Sequence, residues 1–485
     1  MRQRSPLLPI FLIVLVDVLG FTIVIPLLGF YAEKFGASPL VATTLVSVYA
    51  LCSLLSTPII GNLSDRYGRR RLLLLSQAGT CAGFLMLANS SALWMVFAGR
   101  ILDGITAGNL SLAQAYISDH TAPENRAKAF GVIGVAFGVG FMFGPGIGGL
   151  LAEYGMHVPF IAAASLSLLS IIATYTLLRE EKPPETVEAG PLPGGRRPSA
   201  FDIATYTEYF RRPLLGKLYL QFFLFTFAFS CFTSGFALFS ERRFSEEHAI
   251  RRVDATCTLA LDTKLEMPAA SYGTVRLDGR ALTYGRDWIV FGPLIVLTHA
   301  EDCARLETAK LSARWPWTAH EVGLLFMFSG FLGILLQGGL IGRLVKKYGE
   351  PRLIVAGFLA ASTAYLLLGF AYTLVMLIIV AVVSAFGNGV LRPVITSRIT
   401  QAAGRHEQGV AIGISGSLNS FAMMMAPPTG GALISAHHLL GWALVPASVT
   451  ALGVIVALLP SSRKSTGSSA KSASTTPGPE LSSPP

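Results

Sequence analysis

The chain has 485 residues, of which 52% are hydrophobic and only 14% charged; the mean hydropathy is +0.57, too much apolar surface for one water-soluble core. A formal net charge of +10 would suit a nucleic-acid binder, but the basic residues are distributed by loop parity rather than clustered on a soluble face. The composition therefore excludes an ordinary soluble protein and points to the bilayer.

In chain order, apolar stretches of spanning length occur near 8–30, 39–60, 72–89, 92–118, 129–152, 157–178, 218–240, 321–342, 353–371, 374–397, 409–435 and 438–460, about twelve spans by the twenty-residue criterion. The fold class expected is an all-α membrane protein of two six-helix halves. Residues 1–178 form the first half, 179–214 a Gly/Pro-rich hydrated linker, 215–460 the second half, and 461–485 a Ser/Thr/Pro-rich tail without apolar periodicity. Arg2, Arg4, Arg66 to Arg71, Arg126, Lys128, Arg196 to Arg212, Arg343 to Lys347, Arg405 and Lys464 fall at the amino terminus, in alternate loops or in the tail. The positive-inside rule then puts both termini in the cytoplasm and the chain in a cell's inner membrane, with the first span an uncleaved anchor. The loop GNLSDRYGRRR, Gly61 to Arg71, returns as GRLVKKYGEPR, Gly342 to Arg352. A repeat in equivalent loops indicates duplication, the usual construction of a transport scaffold.

The second half is interrupted at 245–316, outside the membrane by topology. TCTLALDTKLEM, YGTVRLDGRALTY and WIVFGPLIVLTHA read as short strands, and EDCARLETAKLSARW as a helix. This is either a small β-rich insert or a poorly ordered one, since a single hairpin is barely stable alone. Cys257 and Cys303 lie in it, where a disulfide is permitted. Cys52, Cys81 and Cys231 lie in spans and read as small apolar fillers. No histidine shows ligand spacing, and no nucleophile or nucleotide motif appears, so no metal, cofactor or enzymatic activity is expected.

Four motifs together resemble the drug:proton antiporters of the major facilitator superfamily, and the tetracycline-efflux type in particular. GNLSDRYGRRR resembles the signature loop between helices two and three. VDVLGFTIVIP, Val16 to Pro26, resembles the first-helix acidic-glycine-proline pattern, GRILDG, Gly99 to Gly104, the fourth-helix arginine motif, and GPGIGG, Gly144 to Gly149, the antiporter signature of helix five. The resemblance covers nearly everything except insert, linker and tail. It implies a central cavity, alternating access and proton-coupled export of a small drug-like molecule by a monomer, without nucleic acid. A proton-coupled importer or facilitator of a metabolite, and a non-transporting receptor that displays the insert, are the alternatives.

Asp17, at ~1.5 Å per residue, lies ~13 Å deep from one surface and Arg100 ~12 Å from the other, so both approach the midplane, with Asp103 one turn from Arg100 on the same face. Charges there are costly and face a cavity or pair, and this makes Asp17, Arg100 and Asp103 the expected proton-coupling set. A purely structural ion pair is the alternative. Gly61, Asp65, Arg66, Gly68, Arg69 and Arg70, with Arg126 as a candidate partner, form the expected electrostatic latch of the cytoplasmic gate. Gly144, Pro145, Gly148 and Gly149, echoed by Pro427 and Gly430 in APPTGG, are the expected hinge or seal. Asn109, Gln114, Gln221, Gln337, Asn388 and Arg392 are polar groups in apolar spans and candidates to line the substrate cavity. The tetracycline exporters that the chain resembles carry one acid within helix three and another within helix nine; local alignment puts Gly83 and Ala361 at those positions.

Overall fold

The structure, a computed structural model, describes residues 7–120, 126–178, 203–244, 246–252, 258–261, 274–277, 280–282, 286–291, 294–298, 311–315, 317–403 and 407–459. The first half comprises α1 (Leu7–Val24), α2 (Leu28–Lys34), α3 (Pro39–Tyr67), α4 (Arg69–Ala88), α5 (Leu93–Ile105), α6 (Asn109–His120), α7 (Arg126–Ala152) and α8 (Val158–Leu177). The second comprises α9 (Ile203–Arg211), α10 (Pro213–Phe244), α11 (Ala319–Leu335), a π turn at Leu336–Leu340, then α12 (Ile341–Tyr348), α13 (Glu350–Gly369), α14 (Leu374–Ala403), α15 (Gln408–Ser435) and α16 (Leu439–Leu458). Helix α9 falls within the stretch 179–214 expected to be linker only. Among the described residues ten spans are long and apolar enough to cross a bilayer, with α11 to α12 counted as one, and α1 with α2 makes an eleventh, bent by 44°. That bend falls where Pro26 removes a backbone donor.

Helices α5 and α6, of 13 and 12 residues, occupy the fourth place of the first half, each too short to span alone. A break at this depth needs partners for its freed backbone groups, and neighbouring hydroxyls supply them. Ser56 Oγ donates to the Gly104 carbonyl at 2.8 Å and Thr57 Oγ1 to that of Ala107 at 3.1 Å. Ser76 Oγ donates to the Thr106 carbonyl and accepts from the Gly108 N–H.

The duplicated loops fold alike. Gly68, at φ 96°, turns the chain from α3 into α4, and Gly349, at φ 79°, turns it from α12 into α13. Both lie in the left-handed region that a Cβ disfavours, which explains the repeated glycine. The end of the bundle bearing these loops is called the basic end, and the opposite end the insert end.

The insert contains seven strands: β1 (Glu246–Arg252), β2 (Thr258–Leu261), β3 (Thr274–Leu277), β4 (Arg280–Ala281), β5 (Trp288–Phe291), β6 (Leu294–Leu297) and β7 (Leu311–Trp315). They make one antiparallel sheet in the order β4-β3-β7-β1-β2-β6-β5. The expected helix over EDCARLETAKLSARW is corrected at LSARW, which is β7; residues 301–310 lie outside the described ones. Leu311, Ala313 and Trp315 alternate with Ser312 and Arg314, and pairing with both β1 and β3 overrides local helix propensity. Seven strands also remove the instability of a lone hairpin. Pairing of Glu246 with Trp315 closes the neck, where the rings of Phe244 and Trp317 lie 5.2 Å apart. Cys257, Cys303 and the tail 461–485 lie outside the described residues.

Candidate functional site: a central cleft with buried charges

Helical spacing in α5 sets Arg100 and Asp103 one turn apart, and Arg100 Nη1 lies 2.8 Å from Asp103 Oδ2 with side-chain exposures of 3% and 5%. The guanidinium also stands 4.3 Å over the Tyr49 ring of α3, a second compensation for a buried cation. Within the expected set of Asp17, Arg100 and Asp103, the ion pair of Arg100 is with Asp103, because the i,i+3 partner needs no approach of another helix. Asp17 sits beside Ser170 of α8 and Asn109 at the start of α6. Its Oδ1 is sealed from solvent and has no hydrogen-bond partner among the described residues, as is Asn109 Oδ1. The Ser170 hydroxyl is held by Gln77 Nε2 at 2.8 Å. Asp103 acts on Asp17 as a nearby like charge while Arg100 pairs with Asp103, so the three groups carry one negative charge in excess when all are ionised, and a single proton balances it.

Phe21, one turn along α1 from Asp17, lines a small cavity of about 30 Å³ with Val46, Arg100, Ser230, Ser234 and Met423. Both halves contribute, so this pocket marks the apex of the cleft between them. Above it, at the insert end, the halves are fastened. Arg242 Nη2 of α10 lies 2.5 Å from Glu33 Oε1 of α2, Glu153 Oε1 lies 2.8 Å from His320 Nδ1, and Ser435 Oγ accepts from the Leu40 N–H at 2.9 Å.

The expected hinge residues supply close contact in the same region. A Cβ on Gly149 would stand 2.7 Å from the Ala319 carbonyl, one on Gly144 would meet Thr22, and one on Gly148 would stand 2.7 Å from the Ile23 carbonyl. Gly323 answers from α11, since its own Cβ would meet the Pro145 carbonyl. In the second half Gly430 packs on Trp442 and Cys231, and its neighbour Gly431 on Thr43 of α3. Helices α7 and α15 each run as one helix through Pro145 and through Pro427 and Pro428.

At the basic end, Asp65, Arg69 and Arg70 of the motif loop make contacts within the first half. Asp65 is exposed and pairs with Arg69 at 2.7 Å, while Arg70 donates to the Tyr175 carbonyl at 2.5 Å and stacks on that ring. Gly61 has no neighbour within 4 Å of a built Cβ, and Arg66 lies in the last turn of α3. The Arg126 side chain lies outside the described residues. The cross-half contacts Glu33–Arg242, Glu153–His320 and Leu40–Ser435 are at the insert end, whereas Gly61, Gly338, Gly339 and Gly342 toward the basic end have no neighbour within 4 Å of a built Cβ.

The cavity candidates divide. Asn109 belongs to the charged cluster and Gln114 is half-buried. Gln337 is exposed on the π turn, and Arg392 is exposed with no side-chain hydrogen-bond or ionic partner among the described residues. Asn388 is occupied, accepting from the Tyr365 hydroxyl at 3.2 Å and donating to Ser384 at 2.9 Å. Gln221 is corrected: it lines a separate cavity inside the second half, because the turn of α10 that bears it faces α13 and α14 rather than the cleft. Tyr49, Gln77, Ser170, Ser230 and Met423 were missed; Gln77 and Ser170 carried the signal, as polar groups in apolar spans. Gly83 and Ala361 are helix contacts, since a Cβ on Gly83 would stand 2.9 Å from the Gly99 carbonyl, and Ala361 is 0% exposed.

Two six-span halves meeting at a cleft lined from both constitute the architecture of a membrane transporter. The sequence matches the Major Facilitator Superfamily over residues 10–251 and 281–484, and the chain belongs to that family, whose members are transporters and not enzymes. It is 28% identical to the tetracycline resistance protein, class C, of Escherichia coli over 88% of this chain and 89% of that one. It is 23% identical to multidrug resistance protein 2 of Bacillus subtilis over 87% and 88%. Among solved structures it resembles the human organic anion transporter MFSD10 (TETRAN), with a TM-score of 0.62 at 19% identity over 94% of this chain and 100% of that one. The nucleoside transporter NupG gives 0.61 at 12% identity over 94% and 98%.

Proposed function

We propose that the chain is a proton-coupled secondary exporter of small, partly apolar, drug-like molecules that works by alternating access, with the basic end and both termini in the cytoplasm of a cell whose inner membrane it spans. The observation that carries this reading is the sealed, unpartnered Oδ1 of Asp17 beside the Arg100–Asp103 pair. A proton placed there removes the excess charge, and the cluster adjoins the apex pocket through Phe21 and Arg100, so its charge is felt by a molecule in the cleft. The fastened insert end makes this conformation inward-facing. The opposite state requires parting Glu33 from Arg242 and Glu153 from His320, and drawing the Asp65 loop against the second half. The names of the resistance relatives support export of drugs. The bulk of the helix contacts at Gly83 and Ala361 argues for cargo other than a metal-chelated tetracycline.

The test is flux in proteoliposomes under an imposed pH gradient, with a panel of amphipathic dyes and drugs. Asp17→Asn should fold and bind but lose gradient-driven flux, and Arg100→Ala should be impaired because it strands Asp103. Coupled flux undiminished in Asp17→Asn would overturn the proton-coupling role.

A further inference from the structure

A second cavity, of about 270 Å³, lies wholly within the C-terminal half at the basic end, where α10 and α13 begin and α14 and α16 finish. Its polar lining consists of Lys217, Arg398 and Gln221; Leu214, Ile354 and Leu459 are among its apolar walls. Lys217 Nζ donates to the carbonyls of Ala457 and Leu459, which fixes the ammonium at the end of α16 and leaves its third N–H free. Arg398 lies within electrostatic reach of that ammonium, yet has no hydrogen-bonded or ionic partner among the described residues. Glu350, at the start of α13, is taken by Ser397 at 3.0 Å and Gln401 at 3.3 Å, and Glu208 and Glu407 are held by Arg212. One turn deeper on α10, Gln221 is 2% exposed and its Oε1 has no partner.

Two cations held near one another without an acid between them repel, and an anion placed between them removes that repulsion. A phosphate suits the pair, since a guanidinium grips its oxygens two at a time and an ammonium adds a point charge. The orphaned amide oxygen asks for a hydrogen-bond donor on the same ligand. The rim is apolar and open: Leu214 is 38% and Leu459 55% exposed, as side chains against acyl chains are. We propose that this cavity binds the headgroup of an anionic, hydroxyl-bearing phospholipid, with Lys217 and Arg398 on the phosphate and Gln221 accepting from a headgroup hydroxyl. Either leaflet supplies such headgroups, so the proposal stands independently of the membrane orientation and of the transported cargo. Basic pockets at the membrane surface take lipid phosphates by the same physics.

The experiment is native mass spectrometry of the full chain in detergent, titrated in parallel with phosphatidylglycerol, phosphatidic acid, phosphatidylcholine and soluble glycerol phosphate. The parent chain should retain phosphatidylglycerol in preference to phosphatidylcholine. Arg398→Gln, whose side chain bonds nothing in the fold, should weaken that binding by roughly tenfold or more while leaving phosphatidylcholine unaffected. Gln221→Leu should lower the preference for the hydroxylated headgroup over phosphatidic acid. Equal retention of the two diacyl lipids by the parent, or no change in Arg398→Gln, would overturn the site. Displacement of the lipid by equimolar glycerol phosphate would overturn the lipid assignment.

Discussion

Under the proposed alternating access, the Glu33–Arg242 contact is the most direct lever on the balance between closed and open states. The 2.5 Å pair joins the two halves with side-chain exposures of 19% and 25%, and Arg242 also donates to the Leu238 carbonyl at 3.1 Å. It therefore lies between an exposed pair, which contributes about 0 to 1 kcal/mol, and a buried one, whose truncation costs about 2 to 5 kcal/mol. Arg242→Gln should cost the closed state roughly 1 to 2 kcal/mol, a factor of about 5 to 30 in the ratio of closed to open molecules. Ser234, which lines the apex pocket beneath the gate, is the reporter position. In a background with the five native cysteines replaced, Ser234→Cys should react faster with a membrane-impermeant maleimide applied from the insert side once Arg242→Gln is added. Glu33→Gln should accelerate labelling similarly, and the two changes together should add little because they remove one interaction. An unchanged labelling rate in Arg242→Gln would refute the assignment of this pair to the gate.

Joining Phe244 to Trp317 should preserve flux, because those rings already touch at 5.2 Å; a folded but inactive deletion would show that the insert takes part in transport. The Arg212 guanidinium, with Nη1 2.5 Å from Glu407 Oε2, holds that carboxyl below the usual carboxylate range. A depressed folded value means that the stabilisation is complete above the unfolded value of about 4.3 and is lost as pH falls through the folded one. Glu407→Gln should accordingly shrink the drop in Tm between about pH 7 and about pH 3, by a small amount since both side chains are 37% exposed; an equal drop would remove the argument. Expression of the chain should confer little tetracycline resistance, since neither Gly83 nor Ala361 offers a carboxylate; strong resistance with verified membrane expression would show that other residues supply the site.

What the sequence disclosed, it disclosed where one residue type alone satisfies the physics. The repeated glycines at 68 and 349 were legible because only glycine suits a one-residue link at φ 96° and 79°, and the charges at 17, 100 and 103 because ionised groups do not persist in hydrocarbon without a reason. Pairing within that cluster was not legible. Depth along two helices brings Asp17 and Arg100 to one level, but the choice between Asp17 and Asp103 rests on helix rotation, which depth leaves open. Gln221 went to a different cavity for the same reason: its polarity marks it as buried for a purpose, while the direction it faces follows from how α10 packs between its neighbours. The insert shows the converse, for LSARW carries both a helical composition and a two-residue alternation, and only the partners β1 and β3, distant in sequence, decide between them. The gate was invisible for a related reason. Glu33 and Arg242, separated by 209 positions, are each ordinary helix-end charges, and their meeting depends on how α2 and α10 of the two halves come together. Residues that announce themselves singly thus define the family and the charged centre, whereas the residues that set conformation do so in pairs, and are recognised only when both members are in place.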